Sequence, residues 1–307
     1  MNKRLPQDVD GTKDPVKRNA CEKEQTIKTS KNRLALDAAL AFLLNIGLWT
    51  RRELAWVVRV VRMRKLVTTL LGACLALLGG CTGIQRSFLF YPTHHTGGDG
   101  LEAWEVEAQT IGYCRKVKAP KSVWLMLHGN AGQAVDRTYA LPHFSPHDSV
   151  FILEYPGYGA RKGKPSKASF NAATVEAYEL LRKTFPNTPI CVLGESIGSG
   201  PACMLATRPA PPDKIVLVVP FDQLASVAKK HAPWLPVGLL LEANWDNIKS
   251  LSKYEGPVEI FGADQDLVIP VEHARKLADS FPAARFHSIP GGHNDWSKNS
   301  DVKIRNP

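Results

Sequence analysis

Between residues 122 and 289, short runs of apolar and β-branched residues alternate with stretches of helical periodicity. That alternation restricts the chain to a mainly parallel sheet covered by helices. The expected strands are residues 122–127, 149–154, 190–194, 215–219, 258–261 and 285–289. Most are continuous apolar runs, as strands buried on both faces require. Segments 101–110 and 111–118 alternate in polarity instead and fit an antiparallel edge. Helices are expected at 133–141, 167–185, 198–207 and 270–281, the last with a proline in its first turn, where a missing N–H costs nothing. No internal repeat or low-complexity tract follows residue 81, so residues 82–307 read as one domain.

The 307 residues carry 39 Lys+Arg against 29 Asp+Glu, a formal charge of +10. Spread over a folded domain, such an excess would suit nucleic acid or an anionic membrane. It is not spread: residues 1–65 hold a net +8, which leaves +2 for everything after them. The domain is close to neutral and has no basic stripe interleaved with aromatics, so nucleic acid is not an expected partner.

From Met63 the chain reads MRKLVTTLLGACLALLGGC: a short basic start, an apolar run, then small residues up to Cys81. That is the layout of a secretory signal peptide over residues 63–81. Its end, Leu78-Gly79-Gly80-Cys81, resembles the lipobox of bacterial lipoproteins. The resemblance implies that Cys81 is diacylated, that the peptide before it is removed, and that the new amine is acylated in turn. The competing reading is an uncleaved membrane helix, for which the run is short. A second match, Leu71-Gly72-Ala73-Cys74, lies too near Met63 to leave a full apolar region. Thr82 stands where an aspartate would, in many Gram-negative lipoproteins, hold the protein at the inner membrane. The expected location is therefore the bacterial cell envelope, facing the periplasm, with the outer membrane favoured and the membrane reached through the lipid anchor.

Residues 1–62 admit two readings. A signal peptide begins at the start codon, and no Met lies between Met1 and Met63, so translation from Met63 is one. The other is a cytoplasmic tail, Lys-rich to Arg33, followed by an apolar helix over 34–49 and a basic amphipathic stretch over 51–62. Asp37 and Asn45 weaken that helix as a membrane span.

Gly194-Glu195-Ser196-Ile197-Gly198 fits G-x-S-x-G and stands between an apolar strand and a helix. The turn is so tight that small residues must flank the serine, and its strained backbone lifts Oγ above the sheet. Ser196 is the expected nucleophile. His128-Gly129-Asn130-Ala131-Gly132 follows the strand 122–127, and its turn can present backbone N–H groups. The N–H of Asn130 and that of Ile197 form the candidate oxyanion hole; an ordinary strand-to-helix turn is the alternative. His128 reads as a structural residue beneath that loop. The acid and base should follow the serine on loops after late strands. Gly291-Gly292-His293 supplies the base, His293, which has no apolar face to pack against. Asp264 and Asp266 both lie in the loop after Phe261, and either could orient the imidazole.

Taken together these motifs resemble the bacterial α/β-hydrolases of the BEM46 and ABHD17-like group, in the wider serine aminopeptidase and esterase superfamily. The resemblance covers residues 84–296. It adds Phe88-Leu89-Phe90-Tyr91-Pro92, Tyr155-Pro156-Gly157-Tyr158-Gly159 with Gly163 and Pro165-Ser166, Pro220-Phe221, and Gly292-His293-Asn294. It implies the α/β-hydrolase fold, a mostly parallel central sheet with helices on both faces and a small helical cap between residues 221 and 252. In that group the triad aspartate stands four residues before the loop proline, which favours Asp266. The loop here is one residue longer after Gly262, so Asp264 stays open.

The implied activity is a serine hydrolase that cleaves an ester, with thioester or amide cleavage also permitted, through an acyl-enzyme. The expected substrate is a small acyl or ester compound, and the apolar segments 233–237 and 239–241 in the cap hint at a lipid-like one, or merely pack the cap. No organic cofactor is needed, and no zinc-like spacing of Cys and His is present. A membrane-tethered aminopeptidase and a catalytically idle binding module of the same fold are the rival readings. Cys191 and Cys203 read as small core residues. The oligomeric state is not legible.

Overall fold

The computed structural model describes residues 89–95, 100–231, 241 and 244–305, together with Arg59 and Met63. The expected lipidation site Cys81, the rest of the signal peptide and N-terminal extension, and the apolar cap segments at 233–240 lie outside the described residues.

Residues buried on both faces build the centre of the sheet. Strands β1 (Tyr91–Pro92), β2 (Glu102–Val106), β3 (Gln109–Arg115), β4 (Val123–Leu127), β5 (Ala131–Gly132), β6 (Ser149–Leu153), β7 (Ile190–Glu195), β8 (Lys214–Val218), β9 (Val258–Ala263) and β10 (Ala284–Ile289) follow in chain order. Eight of them form one sheet in the order β10-β9-β8-β7-β4-β6-β3-β2, and β1 pairs with β5 in a small parallel ladder. The six strands from β10 to β6 are mutually parallel, and β3 and β2 add an antiparallel edge. Every residue of β4, β6, β7 and β8 is buried.

The pleat sends alternate side chains of β4 to two cores. Val123, Leu125 and Leu127 join one with Val192, Ile215, Leu217 and Ile260, while Trp124 and Met126 join the other with Ile152, Leu193, Val216 and Phe261. The first core is closed by α1 (Lys167–Thr184), α2 (Ser199–Leu205), α3 (Leu224–His231), α4 (Asn247–Leu251) and α5 (Val271–Asp279), which contribute Phe170, Ala202, Leu224, Leu251 and Leu277 among others. The second is closed by 3₁₀ segments Ala134–His143 and Trp296–Lys298 and by the chain end at Val302 and Ile304.

Local chemistry moves several boundaries from their expected places. The β2–β3 hairpin turns at Glu107 and Ala108, both with positive φ (48° and 60°), rather than between residues 110 and 111. Neither residue is the Gly or Asn that normally marks such a turn. The helix expected at 133–141 is a 3₁₀ segment, since Arg137 departs from helical geometry and Pro142 withholds an N–H. Pro270 is the N-cap of α5, one residue before the helix begins. The long helix α1 starts where Ser166 accepts the N–H of Ser169 at 3.0 Å while its own N–H donates to Ser169 Oγ. Cys114, Cys191 and Cys203 are buried, and burial pushes the Cys191 thiol up to about 12.

Candidate active site

The nucleophile elbow follows from backbone crowding at the end of β7. Ser196 adopts φ +53°, which few residues with a Cβ take up, and this aims its side chain above the strand ends. The flanking glycines are obligatory. A Cβ on Gly194 would sit 2.7 Å from that of Ala202 and 2.8 Å from Ser199 Cα, and one on Gly198 would run into the carbonyl oxygen of Leu127. Ser199 Oγ then donates to Ser196 O at 2.7 Å and closes the first turn.

Two neighbouring strand ends carry the other polar groups. After β9, Asp264 N–H donates to Ile289 O (2.9 Å) and Gln265 N–H to Gly291 O (3.0 Å), so the loops following β9 and β10 are stitched together. Asp266 is almost wholly buried, and its Oδ1 accepts from the N–H groups of Val268 and Ile269, both at 2.8 Å. Its Oδ2 lies 2.6 Å from His293 Nδ1, and His293 Nε2 lies 2.8 Å from Ser196 Oγ. With Nδ1–H donating to the carboxylate, Nε2 is left to accept the serine proton. Asp264 points elsewhere. Half-exposed, it accepts a hydrogen bond from Ser288 Oγ and faces Arg275 at 3.9 Å.

The loop after β4 lies across the elbow. Asn130 is held by its side chain, whose Oδ1 accepts from Tyr91 N–H (3.2 Å) and from Tyr158 O–H (3.0 Å). The aromatic segment before the sheet and the tyrosine-glycine loop after β6 therefore meet on one oxygen. His128 is buried beneath, with Nδ1 2.7 Å from Gly129 O and its carbonyl accepting from Tyr155 O–H at 3.1 Å. Gly129, Asn130, Ser196, Ile197 and His293 all line a cavity of about 900 Å³. The remaining wall is mostly apolar: Leu89, Phe221, Leu224, Val227, Leu241 and Ile269. Leu267 and Val268 also line it and stand largely exposed.

A family model described as the alpha/beta hydrolase fold matches residues 125–244. An esterase from Pyrococcus furiosus superposes with a TM-score of 0.53 over 68% of this chain and 95% of its own, at 14% identity. Est1E from Butyrivibrio proteoclasticus, solved with ferulic acid bound, gives 0.52 over 67% and 94%, also at 14% identity. The chain has the α/β-hydrolase fold. Among curated sequences, an uncharacterized protein of Mycobacterium tuberculosis is 34% identical over 176 residues, 56% of this chain and 62% of that protein. The lysophosphatidylserine lipase ABHD12 of Danio rerio is 27% identical over 201 residues, 58% of this chain and 52% of that protein. The chain thus matches less than two thirds of the length of these relatives.

Within this α/β-hydrolase fold, four polar residues at the site go unread in the sequence. Glu195, the first variable position of G-x-S-x-G, is buried and lines the cavity. Its Oε2 accepts from Gly129 N–H (2.9 Å), and its Oε1 from Tyr139 O–H (2.9 Å) and Trp296 Nε1–H (2.9 Å). Arg137 stands beside it and donates to Ala131 O and to Tyr139 Oη at 3.1 Å. Burial alone would raise the Glu195 carboxyl, but the Arg137 guanidinium and then these hydrogen bonds outweigh it and hold it below the usual carboxylate range. One clue stands in the sequence: ICVLGE ends a fully buried strand on a charge. Among the described residues, no three His, Cys, Asp or Glu side chains converge as a metal site would require. No helix among the described residues is long and apolar enough to cross a membrane.

Proposed function

We propose that this chain is a serine hydrolase that cleaves carboxylic esters through an acyl-enzyme, with Ser196 as nucleophile, His293 as base and Asp266 as acid. The observation that carries the reading is the unbroken line from Asp266 Oδ2 through His293 to Ser196 Oγ, at 2.6 and 2.8 Å, ending on a serine with left-handed backbone. As Oγ attacks the acyl carbonyl, its proton passes to His293 Nε2, and Asp266 stabilises the imidazolium. The N–H groups of Asn130 and Ile197 receive the negative oxygen. His293 returns the proton to the leaving alcohol, then draws one from water, and that water releases the acyl group as acid.

The cavity lining supports an ester over a peptide. An aminopeptidase must hold a free ammonium, and among the described lining residues the one carboxylate is Glu195, whose two oxygens are already committed to donors of the protein. The apolar wall instead suits the hydrocarbon part of an acyl ester. That the similar proteins include an esterase and a lysophosphatidylserine lipase supports the same choice. Cys81 remains the proposed lipid anchor, tethering the enzyme to the bacterial envelope on the periplasmic side.

Turnover of p-nitrophenyl esters of graded chain length, with labelling by a fluorophosphonate probe, tests the reading. Wild-type protein should hydrolyse the esters and take up one label, and Ser196→Ala should do neither. Turnover that survives Ser196→Ala would falsify the assignment.

A further inference from the structure

Glu195 is the residue next to the proposed nucleophile, yet none of the four hydrogen bonds to its carboxylate comes from Ser196 or His293. They come from three segments that are distant in sequence and meet at the site. Gly129 precedes Asn130 in the loop over the elbow. Trp296 lies three residues after His293, and Tyr139 sits on the 3₁₀ segment that continues from the loop. The seat is close: a Cβ on Gly129 would stand 3.4 Å from the Glu195 carboxyl carbon. A carboxylate is the one side-chain group of this length that accepts at both ends and donates at neither. Arg137, itself buried, supplies the compensating charge, so the anion does not oppose the oxygen charge that develops nearby.

We infer that Glu195 is a positioning residue of the hydrolase site, fastening the oxyanion loop and the segment behind His293 to the nucleophile elbow and so setting the aim of the Asn130 N–H. The inference rests on the serine-hydrolase reading above. Its particular requirement is an acceptor at both Oε atoms. Gly129 N–H can only donate to Oε2, and Trp296 Nε1–H can only donate to Oε1. A glutamine therefore has no orientation that satisfies both: either way, an amide N–H₂ faces a donor. Misplacing the loop by a fraction of an ångström weakens transition-state binding and leaves the substrate's apolar contacts alone.

The test is Glu195→Gln in the full chain, with kcat normalised to the fraction of serine labelled by a fluorophosphonate. The expected result is a kcat about 10- to 100-fold lower, the scale of a compromised oxyanion donor, with KM within about twofold of wild type. Affinity for a boronic acid, which forms a tetrahedral adduct on Ser196, should fall by the same factor as kcat/KM. A role in stability alone would lower the labelled fraction and the melting temperature but not kcat per labelled site, so an unchanged kcat per site overturns the inference. If Glu195→Gln does not fold, Tyr139→Phe and Trp296→Phe each remove one donor. A loss of about 3- to 10-fold in kcat per site, at constant KM, is then expected, and wild-type values in both overturn it. Ser196→Ala in parallel separates the two levels. Turnover surviving it sinks the hydrolase reading, whereas a dead Ser196→Ala beside a full-rate Glu195→Gln sinks the positioning role alone.

Discussion

Asp266 Oδ2 stands 2.6 Å from His293 Nδ1, while Asp264, two residues earlier in the same loop, is bonded to Ser288 and turned toward Arg275. Asp266→Asn should therefore lower kcat by about 10⁴-fold, because an amide in place of the carboxylate favours the wrong imidazole tautomer. Asp264→Asn should stay within about threefold of wild type, since it loses only an exposed contact. Steady-state kinetics on the two variants measure the difference, and equal losses would count against Asp266 as the acid.

Gly198 packs its α-hydrogens against Leu127 O, where a methyl group has no room. Gly198→Ala should displace the elbow from β4, cost about 1–3 kcal/mol as overpacking does, and abolish fluorophosphonate labelling. Denaturant melts and label uptake report the two effects separately. A labelled, wild-type-stable variant would contradict the crowding at this turn.

Asp222 is buried and accepts from Lys276 Nζ (2.6 Å), His273 Nδ1 (2.7 Å) and Gln223 N–H (2.7 Å). Burial pushes its carboxyl upward, but the bonds from Lys276, Gln223 and His273 prevail and hold it below its ordinary value. A depressed folded-state pKa means that the stabilisation is complete above the ordinary carboxylate range and is lost as pH falls through the folded value. Asp222→Asn should cost about 2 kcal/mol near pH 7. The gap in melting temperature between wild type and variant should close on acidification below about pH 4. A gap that widens there would reverse the assigned sign.

If Cys81 bears acyl chains, wild-type protein expressed in a Gram-negative host should partition into the detergent phase of a Triton X-114 extraction. Cys81→Ser should move to the aqueous phase or retain the peptide from Met63. Mass spectrometry of the N-terminal peptide decides between them, and an unmodified Cys81 in mature protein removes the anchor.

What was legible in the sequence follows the physics of each segment. β4, β6, β7 and β8 are buried on both faces, so their runs stand out as continuous apolar stretches. The β2–β3 turn does not show in the sequence because Glu107 and Ala108 adopt positive φ without being the residue types that advertise it. Sequence alone does not divide an N-cap from a first-turn proline, and Pro270 takes the N-cap. Ser196 and His293 stand out as candidates in the sequence because each lies close after a glycine in a turn after a strand, and the fold brings them to 2.8 Å of each other. Asp264 and Asp266 could not be separated by spacing: both lie in one loop, and only the direction of the side chain divides them. The role of Glu195 is not legible in sequence because its partners, Gly129, Tyr139 and Trp296, are 66, 56 and 101 residues away.

β9 and β10 lead into the proposed acid and base and are laced together by the loops that follow them; among the described residues β10 is the last strand of the sheet, and Ile289 alone of its residues is buried. The proposed base and its orienting carboxylate thus ride together near one margin of the sheet, where local opening costs less than in the buried centre, while Ser196 is moored in the middle. With the proposed triad, mild denaturation should act as a decoupling, in which opening of that margin takes both partners from Ser196 while the centre of the sheet is still folded. Activity through the proposed triad would then report on the integrity of one border of the sheet.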